Sequence, residues 1–452
     1  MISSRTTRRS LYQAIWRWHF LAGLLTLPFL LWLAITGSIY LFEDEIEFAL
    51  HGPVLKVPAT PDRLPTGQLI ETAENYSGHP AKAFLSPSAA DRSAEILVAG
   101  ADGAGASVFI DPGTGKVLGM LDGDWRVAQF VRSLHGLALF GPIANGVIEA
   151  VAGWVVILCS TGLYLWWQRR EAGGLFAIRG SLRSRRFWRD LHAVLGAGVA
   201  IFGIFLAITG LMWSGVWGSW VHNSLRAIGQ GVPSVIWDAP PTSDGKPSAQ
   251  TTDGSHQHPG ELSWTVRGMP EPRSAGNIRQ VSIGLAEAAR VAELQGISDG
   301  YRIDAPGAPD GIFAATNIPD KAAGIRVIQI NQFSGEVVND FSFSDYGDAS
   351  QAIEWGVSLH MGKEYGRFSQ WLMFFACLTL IGLTIAAIMS WMMRRKRGEL
   401  GTPPYASKRA GKVGVLVILL GTLTFPLTAL SAIILAGIDW ALQARRTRPS
   451  TA

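Results

Sequence analysis

Four histidines stand at matched points of this 452-residue chain, and a neutral imidazole is a common metal ligand. His19 opens "HFLAGLLTLPFLLWLAITG" and His192 opens "HAVLGAGVAIFGIFLAITG"; a glycine follows each by four residues, and "LAITG" begins fourteen after each. His135 lies in "SLHGLALFG" and His360 in "SLHMGKEYG". Each has a glycine six residues on, a tryptophan 31 on (Trp166, Trp391) and an arginine 34 on (Arg169, Arg394). Spacing shared over more than thirty residues marks an internal repeat. A repeat of this kind brings equivalent residues of its two halves towards each other, so His19 is expected to pair with His192 and His135 with His360. Two imidazoles on facing helices can hold a six-coordinate, non-covalent haem iron. The glycines at plus four and plus six would leave room for a flat macrocycle. Arg17 and Arg189, beside the first pair, are candidate partners for haem propionates.

Other chemistries fit less well. Structural zinc wants three or four ligands close together, with cysteine or carboxylate among them. The two cysteines, Cys159 and Cys377, both lie in apolar runs, and there is no CxxCH for covalent haem attachment. His256 and His258 form an HxH in a polar stretch that reads as solvated loop, and His51, His79 and His222 lack repeat partners and read as structural. Trp166, Trp167, Trp213, Trp217, Trp220 and Trp391 sit where interfacial aromatic belts are expected. The acidic run Glu43, Asp44, Glu45, Glu47 reads as a solvated helix start, with attraction of a cationic ligand as the alternative. No residue is assigned a catalytic role.

The elements that must position these histidines are membrane helices. With 48% hydrophobic and only 16% charged residues, the chain is too apolar for an ordinary soluble protein of its length, and a nucleic-acid partner is not expected. Runs long enough to cross ~30 Å of hydrocarbon occur at about 18–42, 143–167, 192–217, 369–393 and 413–440. Arginine and lysine crowd the N-terminal tail (1–17) and the loops 168–191 and 394–412, which places those segments in the cytoplasm. The inserts 43–142 and 218–368 then lie outside. A C-terminal tail, 441–452, carrying "QARRTRPS", would be external too, so a re-entrant segment bent at Pro426 competes with a full fifth span. The basic N-terminus resembles a signal-peptide flank, but the following run has no small-residue cleavage site and is read as a retained helix.

Each insert carries a hairpin signal, "VFIDPGTGKVLG" (108–119) and "VIQINQFSGEVVND" (327–340), preceded by the helix-like "GQLIETAENY" and "GLAEAARVAEL". The stretch 238–261 is rich in Pro, Ser and Gly and reads as a flexible linker. The expected fold is thus a mainly α-helical membrane protein: two pseudo-symmetric helix–insert–helix repeats, a C-terminal helix, and two small external α+β modules.

These phrases, from "WRWH…LAITG" through the "DPGTGKVLG" hairpin to "SLHMGKEYG", resemble the PepSY-associated transmembrane family, which includes bacterial iron-regulated inner-membrane proteins and siderophore-iron reductases. The resemblance runs to about residue 397. It implies two b-type haems held by His19, His135, His192 and His360, PepSY-like periplasmic modules, and electron delivery to a ferric siderophore from the inner membrane. Some relatives carry a fused flavin-binding reductase domain. The cytoplasmic loops here have no room for one, so the electron donor would be a separate reductase or a quinol. Two rival readings remain: a quinol-linked cytochrome b serving a periplasmic redox protein, and a non-enzymatic, membrane-anchored binding or inhibitory protein. One departure is "INQFSG" (330–335), where the family usually has an Asp-Pro turn; this leaves the register of the second hairpin open.

Overall fold

In the computed structural model the chain is described over residues 2–60, 62–99, 105–122, 126–168, 174–231, 273–274, 280–317, 320–397, 399–404 and 422–446. The linker 238–261, with His256 and His258, and Arg169 lie outside the described residues.

Helix α1 (Ile2–Tyr40) is longer than the apolar run predicts, because the basic N-terminal segment continues the same helix. The chain then turns into α2 (Glu43–Leu55) and α3 (Thr66–Ser77), and forms strands β1 (Ala81–Leu85), β2 (Ala94–Ala99), β3 (Gly105–Ile110) and β4 (Val117–Asp122). A short α4 (Val127–His135) leads to α5 (Pro142–Trp167), whose proline occupies the first turn, where no backbone donor is needed. The third span begins earlier than expected. Ser184 caps α6 (Arg185–Leu211) by accepting from the Phe187 amide, and α7 (Trp217–Ala227) follows a turn. The second insert repeats the first: α8 (Leu285–Leu294), β5 (Tyr301–Asp304), β6 (Ile312–Asn317), β7 (Arg326–Asn331), β8 (Val337–Ser342) and α9 (Asp348–His360), then α10 (Arg367–Met392).

Among the described residues four helices, α1, α5, α6 and α10, are long and apolar enough to cross a membrane. They touch in the cyclic order α1–α5–α6–α10, which sets α1 and α6 diagonally across the bundle. The ends of these helices nearest the basic loops define one face, and the opposite ends carry the sheet.

The C-terminal region corrects one expectation. Pro426 is the first residue of α11 (Pro426–Arg446), directly after a turn at 423–425, and the apolar part, Pro426–Trp440, is shorter than the other four. The run 405–421 lies outside the described residues. Near its start, Thr428 donates to the Ala150 carbonyl of α5, and near its end Asp439 pairs with Arg17 of α1. The end of α11 therefore lies on the same side as the basic end of α1, not beside the inserts.

The inserts correct another. Two separate modules were expected; instead all eight strands form one antiparallel sheet, in the order β4-β3-β2-β1-β5-β6-β7-β8. β1 and β5 join the halves, with Ala83 opposite Asp304, Phe84 opposite Ile303 and Leu85 opposite Arg302. Helices α3 and α8 share one core with both halves, including Phe84, Ile96, Val108, Ile303, Phe313 and Ile328. Pairing the inner edges removes two exposed strand edges and merges two small apolar clusters into one larger core.

Both hairpins form, and with the same irregularity. The register shifts between Phe109 and Ile110 in one and between Gln329 and Ile330 in the other, setting Ile110 opposite Val117 and Ile330 opposite Val337. Asp111 accepts from the Gly113 amide and the Thr114 hydroxyl; Asn331 accepts from the Phe333 and Ser334 amides. Asparagine supplies the same acceptor as aspartate in such a turn, so the second hairpin keeps the register of the first.

The acidic run after α1 does start a helix, where carboxylates complement the dipole. It is not simply solvated. Glu43 and Glu47 are buried; Glu43 meets Lys363, Glu45 meets Arg367, and Glu47 lies by Arg126 and the Ala128 amide. These pairs tie α2 to the segments that carry His135 and His360.

Candidate functional site

His19 on α1 and His192 on α6 face each other across the bundle, with ring centroids 6.4 Å apart and planes inclined at 74°. Each is backed by one of the other two spans. His19 Nδ1 lies 2.9 Å from Thr161 Oγ1 of α5, and His192 Nδ1 lies 3.2 Å from the Leu383 carbonyl of α10.

The second pair is built alike. His135 is the last residue of α4 and His360 the last of α9, so each short helix delivers its terminal side chain to the bundle's sheet-side mouth. His135 Nδ1 meets Thr36 Oγ1 at 2.8 Å, and His360 Nδ1 meets Thr209 Oγ1 at 2.7 Å. Burial lowers the pKa of His135 to about 4 and that of His360, with His135 nearby, to about 3, so both rings are neutral at ordinary pH.

The tautomers follow from the hydrogen bonds. Thr36, Thr161 and Thr209 each donate the hydroxyl proton to a carbonyl one turn back, those of Trp32, Ile157 and Phe205. Each threonine oxygen must then accept, so the histidine Nδ1 donates to it; a carbonyl can only accept, so His192 Nδ1 donates as well. All four rings thus carry their proton on Nδ1 and keep a basic lone pair on Nε2. A metal-ligating imidazole normally has this arrangement, one nitrogen oriented by an outer acceptor and the other free to coordinate.

The glycines act differently from expectation. Gly141 and Gly366, six residues after the second pair, have φ of +91° and +58° and precede α5 and α10 as turn residues; a Cβ there would meet nothing within 4 Å. Gly23 and Gly196, four after the first pair, lie against Leu158 and Leu383 and allow helix contact. The glycines that touch the rings are Gly37, Gly210 and Gly162, where a Cβ would stand 3.5, 3.5 and 3.3 Å from Cε1 of His135, His360 and His19. Thr36, Gly37, Thr209 and Gly210 all belong to the twice-repeated "LAITG", so the sequence held the signal, though only the structure assigns it a role. Thr161 has no such signal, since its counterpart 225 residues on is Ala386.

Residues 16–394 match the family model of the PepSY-associated TM region. The chain belongs to the PepSY-associated TM family. No curated protein compared with it matches. In this family member the match takes in all four membrane helices from Trp16 onwards and all four histidines, and it closes at Arg394, whose guanidinium lies 5.5 Å from the Trp16 ring centre.

The histidines can be tested against the group the repeat suggests. An iron midway between two imidazoles, with metal–nitrogen bonds of about 2 Å and ring centres ~1.1 Å behind each nitrogen, sets those centres ~6.2 Å apart; His19 and His192 stand at 6.4 Å. His135 and His360 line a cavity of about 460 Å³ that extends from Leu30 and Val155 within the bundle to Asn317 and Asp320 beneath the sheet. That volume suits a cofactor-sized ligand. Among the described residues no three His, Cys, Asp or Glu side chains converge as a metal site, so tetrahedral zinc has no ligand set there. Thr36 lies seventeen residues along α1 from His19, which separates the two pairs by ~26 Å at 1.5 Å per residue.

The two expected propionate partners are otherwise engaged. Arg17 is buried and binds Asp439 and the Pro403 carbonyl. Arg189 binds the fully buried Asp190, which Arg179 also meets.

Proposed function

We propose that this protein is a di-haem electron-transfer protein of the bacterial inner membrane, multi-pass with its N-terminus in the cytoplasm, that reduces ferric siderophore on the sheet side and releases Fe(II). The observation that carries the reading is the set of four histidines, each hydrogen-bonded at Nδ1 and paired at two levels of one bundle. Two bound haems b would supply one-electron transfer between the two faces.

The chain's own residues have distinct tasks. His19, His192, His135 and His360 would hold the haems, and Thr36, Thr161, Thr209 and the Leu383 carbonyl orient their rings. Gly37, Gly210 and Gly162 keep side chains away from the rings. The apolar bundle wall excludes water from both levels. Because two histidines of the chain would hold each haem, the ferric chelate would take up its one electron per iron without being bound to the haem. Reduction loosens the chelate because hard oxygen ligands hold ferrous iron less well than ferric. The electron donor is a cytoplasmic reductase or a membrane quinol.

The test is anaerobic. Purified protein, reduced with dithionite and freed of excess, is mixed with a ferric hydroxamate in the presence of a ferrous-specific chromophore. One Fe(II) per reducing equivalent, with matching reoxidation of the Soret and α bands, is expected. A reduced spectrum unchanged by this and by a ferric catecholate would defeat the reductase assignment.

A further inference from the structure

At the basic face, next to the His19/His192 pair, Arg394 is held without a counterion among the described residues. Arg394 lies two residues beyond the end of α10, and its guanidinium carbon lies 4.4 Å from the Phe20 ring centre and 5.5 Å from that of Trp16. Trp16, His19 and Phe20 lie three and four residues apart and so share one face of α1. Arg394 is therefore held against the helix face that carries His19.

Its Nε and Nη2 are buried and have no hydrogen-bond partner among the described residues. Burial and the neighbouring charge of Arg185 both push its pKa down. Arg185 itself begins α6, seven residues and hence two turns before His192 on the same face. Two arginines thus converge on the end of the site, one from each side of the histidine pair. Buried guanidinium nitrogens are normally met by a carboxylate or phosphate. Two acids of this face are paired with other arginines, Asp439 with Arg17 and Asp190 with Arg179 and Arg189.

We propose that Arg394 and Arg185 form an anion clamp closing the basic-face end of the His19/His192 site, and that they take the carboxylates of the porphyrin held there. The assignment rests on the di-haem reading and replaces Arg17 and Arg189 as the propionate partners. Aromatic support from Trp16 and Phe20 fixes the Arg394 fork in place through its stacking surface.

The experiment uses the full-length protein carrying His135→Ala and His360→Ala, which isolates the basic-face site. Haem-free protein is titrated with ferric protoporphyrin IX and with its dimethyl ester, which keeps the macrocycle and removes both carboxylate charges. The free acid is expected to bind at least ~10-fold more tightly, as one or more charge-assisted hydrogen bonds would give. Arg394→Gln and Arg185→Gln should each narrow that ratio, and together bring it close to one, with ester binding unchanged as the check on folding. Equal affinity for acid and ester, with a low-spin bis-imidazole spectrum in both, overturns the clamp and leaves the di-haem reading intact. A full ratio persisting in the double variant overturns the assignment to these arginines. Failure of either porphyrin to give a low-spin spectrum overturns both readings.

Discussion

His360 Nδ1 lies 2.7 Å from Thr209 Oγ1, and the threonine hydroxyl donates its own hydrogen bond to the Phe205 carbonyl. A hydroxyl has one proton to donate, so this chain of two bonds fixes which imidazole nitrogen is free. Thr36 does the same for His135 with the Trp32 carbonyl. On the di-haem reading the rings would need neither to reorient nor to lose a proton to coordinate.

Thr209→Val keeps the volume and removes the acceptor. The Nδ1–H of His360 then has no partner, and haem affinity at that level should fall by about 10–100-fold, the usual cost of losing an outer-shell partner. Haem retained after dialysis against apomyoglobin measures it, and Thr209→Ser should restore retention. Equal retention in Thr209→Val and the parent would show that the threonine does not orient the ring.

Space at the rings gives a second contrast. Gly37→Leu and Gly210→Leu direct bulk at His135 and His360, whose Cε1 atoms already lie 3.5 Å from the Cβ position. Each should remove one haem of two in a pyridine haemochrome assay. Gly23→Ala should remove none, because its Cβ would make only an ordinary 4.0 Å contact with Leu158. Loss of haem in Gly23→Ala would return the cradle to the glycines four residues after the histidines.

Arg17 separates a structural role from a ligand-binding one. Its side chain and that of Asp439 are only 6% and 12% exposed, so Asp439→Ala leaves a buried charge unpaired, at a cost of about 3–5 kcal/mol. The variant should melt at a clearly lower temperature yet retain two haems per chain with unaltered spectra. A spectral or midpoint change in the haem nearest His19, without a stability change, would place Arg17 at the cofactor instead.

Much of the membrane part was legible in the sequence, because hydropathy marks spans and a repeat marks equivalent positions. Helices α5 and α10 fall within a few residues of the expected runs, whereas α1 starts sixteen residues early because the basic N-terminal segment continues it, and α6 starts seven residues early because Ser184 caps it. The joining of β1 to β5 was not legible. Each insert alternates like a self-contained hairpin module, and nothing local distinguishes an edge strand that stays free from one that finds its counterpart 220 residues away. Arg394 was hidden for a similar reason: its neighbours Trp16 and Phe20 are remote in sequence and meet it only when the bundle closes.

That joined sheet can be tested by cross-linking. In a Cys159→Ser, Cys377→Ser background, Ala83→Cys with Asp304→Cys places two thiols at directly paired positions of neighbouring antiparallel strands. Their Cα separation should be about 4.5–5.5 Å, within the range a disulfide accepts. Mild oxidation, then cleavage at a protease site placed in the linker, should leave the two halves joined under non-reducing conditions. Separation into two fragments would indicate independent modules.

The central claim is that His19 with His192, and His135 with His360, each hold one haem. The most direct measurement is the haem-to-protein ratio by pyridine haemochrome in the purified parent and in His19→Ala, His135→Ala, His192→Ala and His360→Ala. Two haems b per chain in the parent, falling to one in every single variant and to none when one histidine of each pair is changed together, is the predicted pattern. A colourless parent protein, or a ratio unchanged across all four variants, would contradict it.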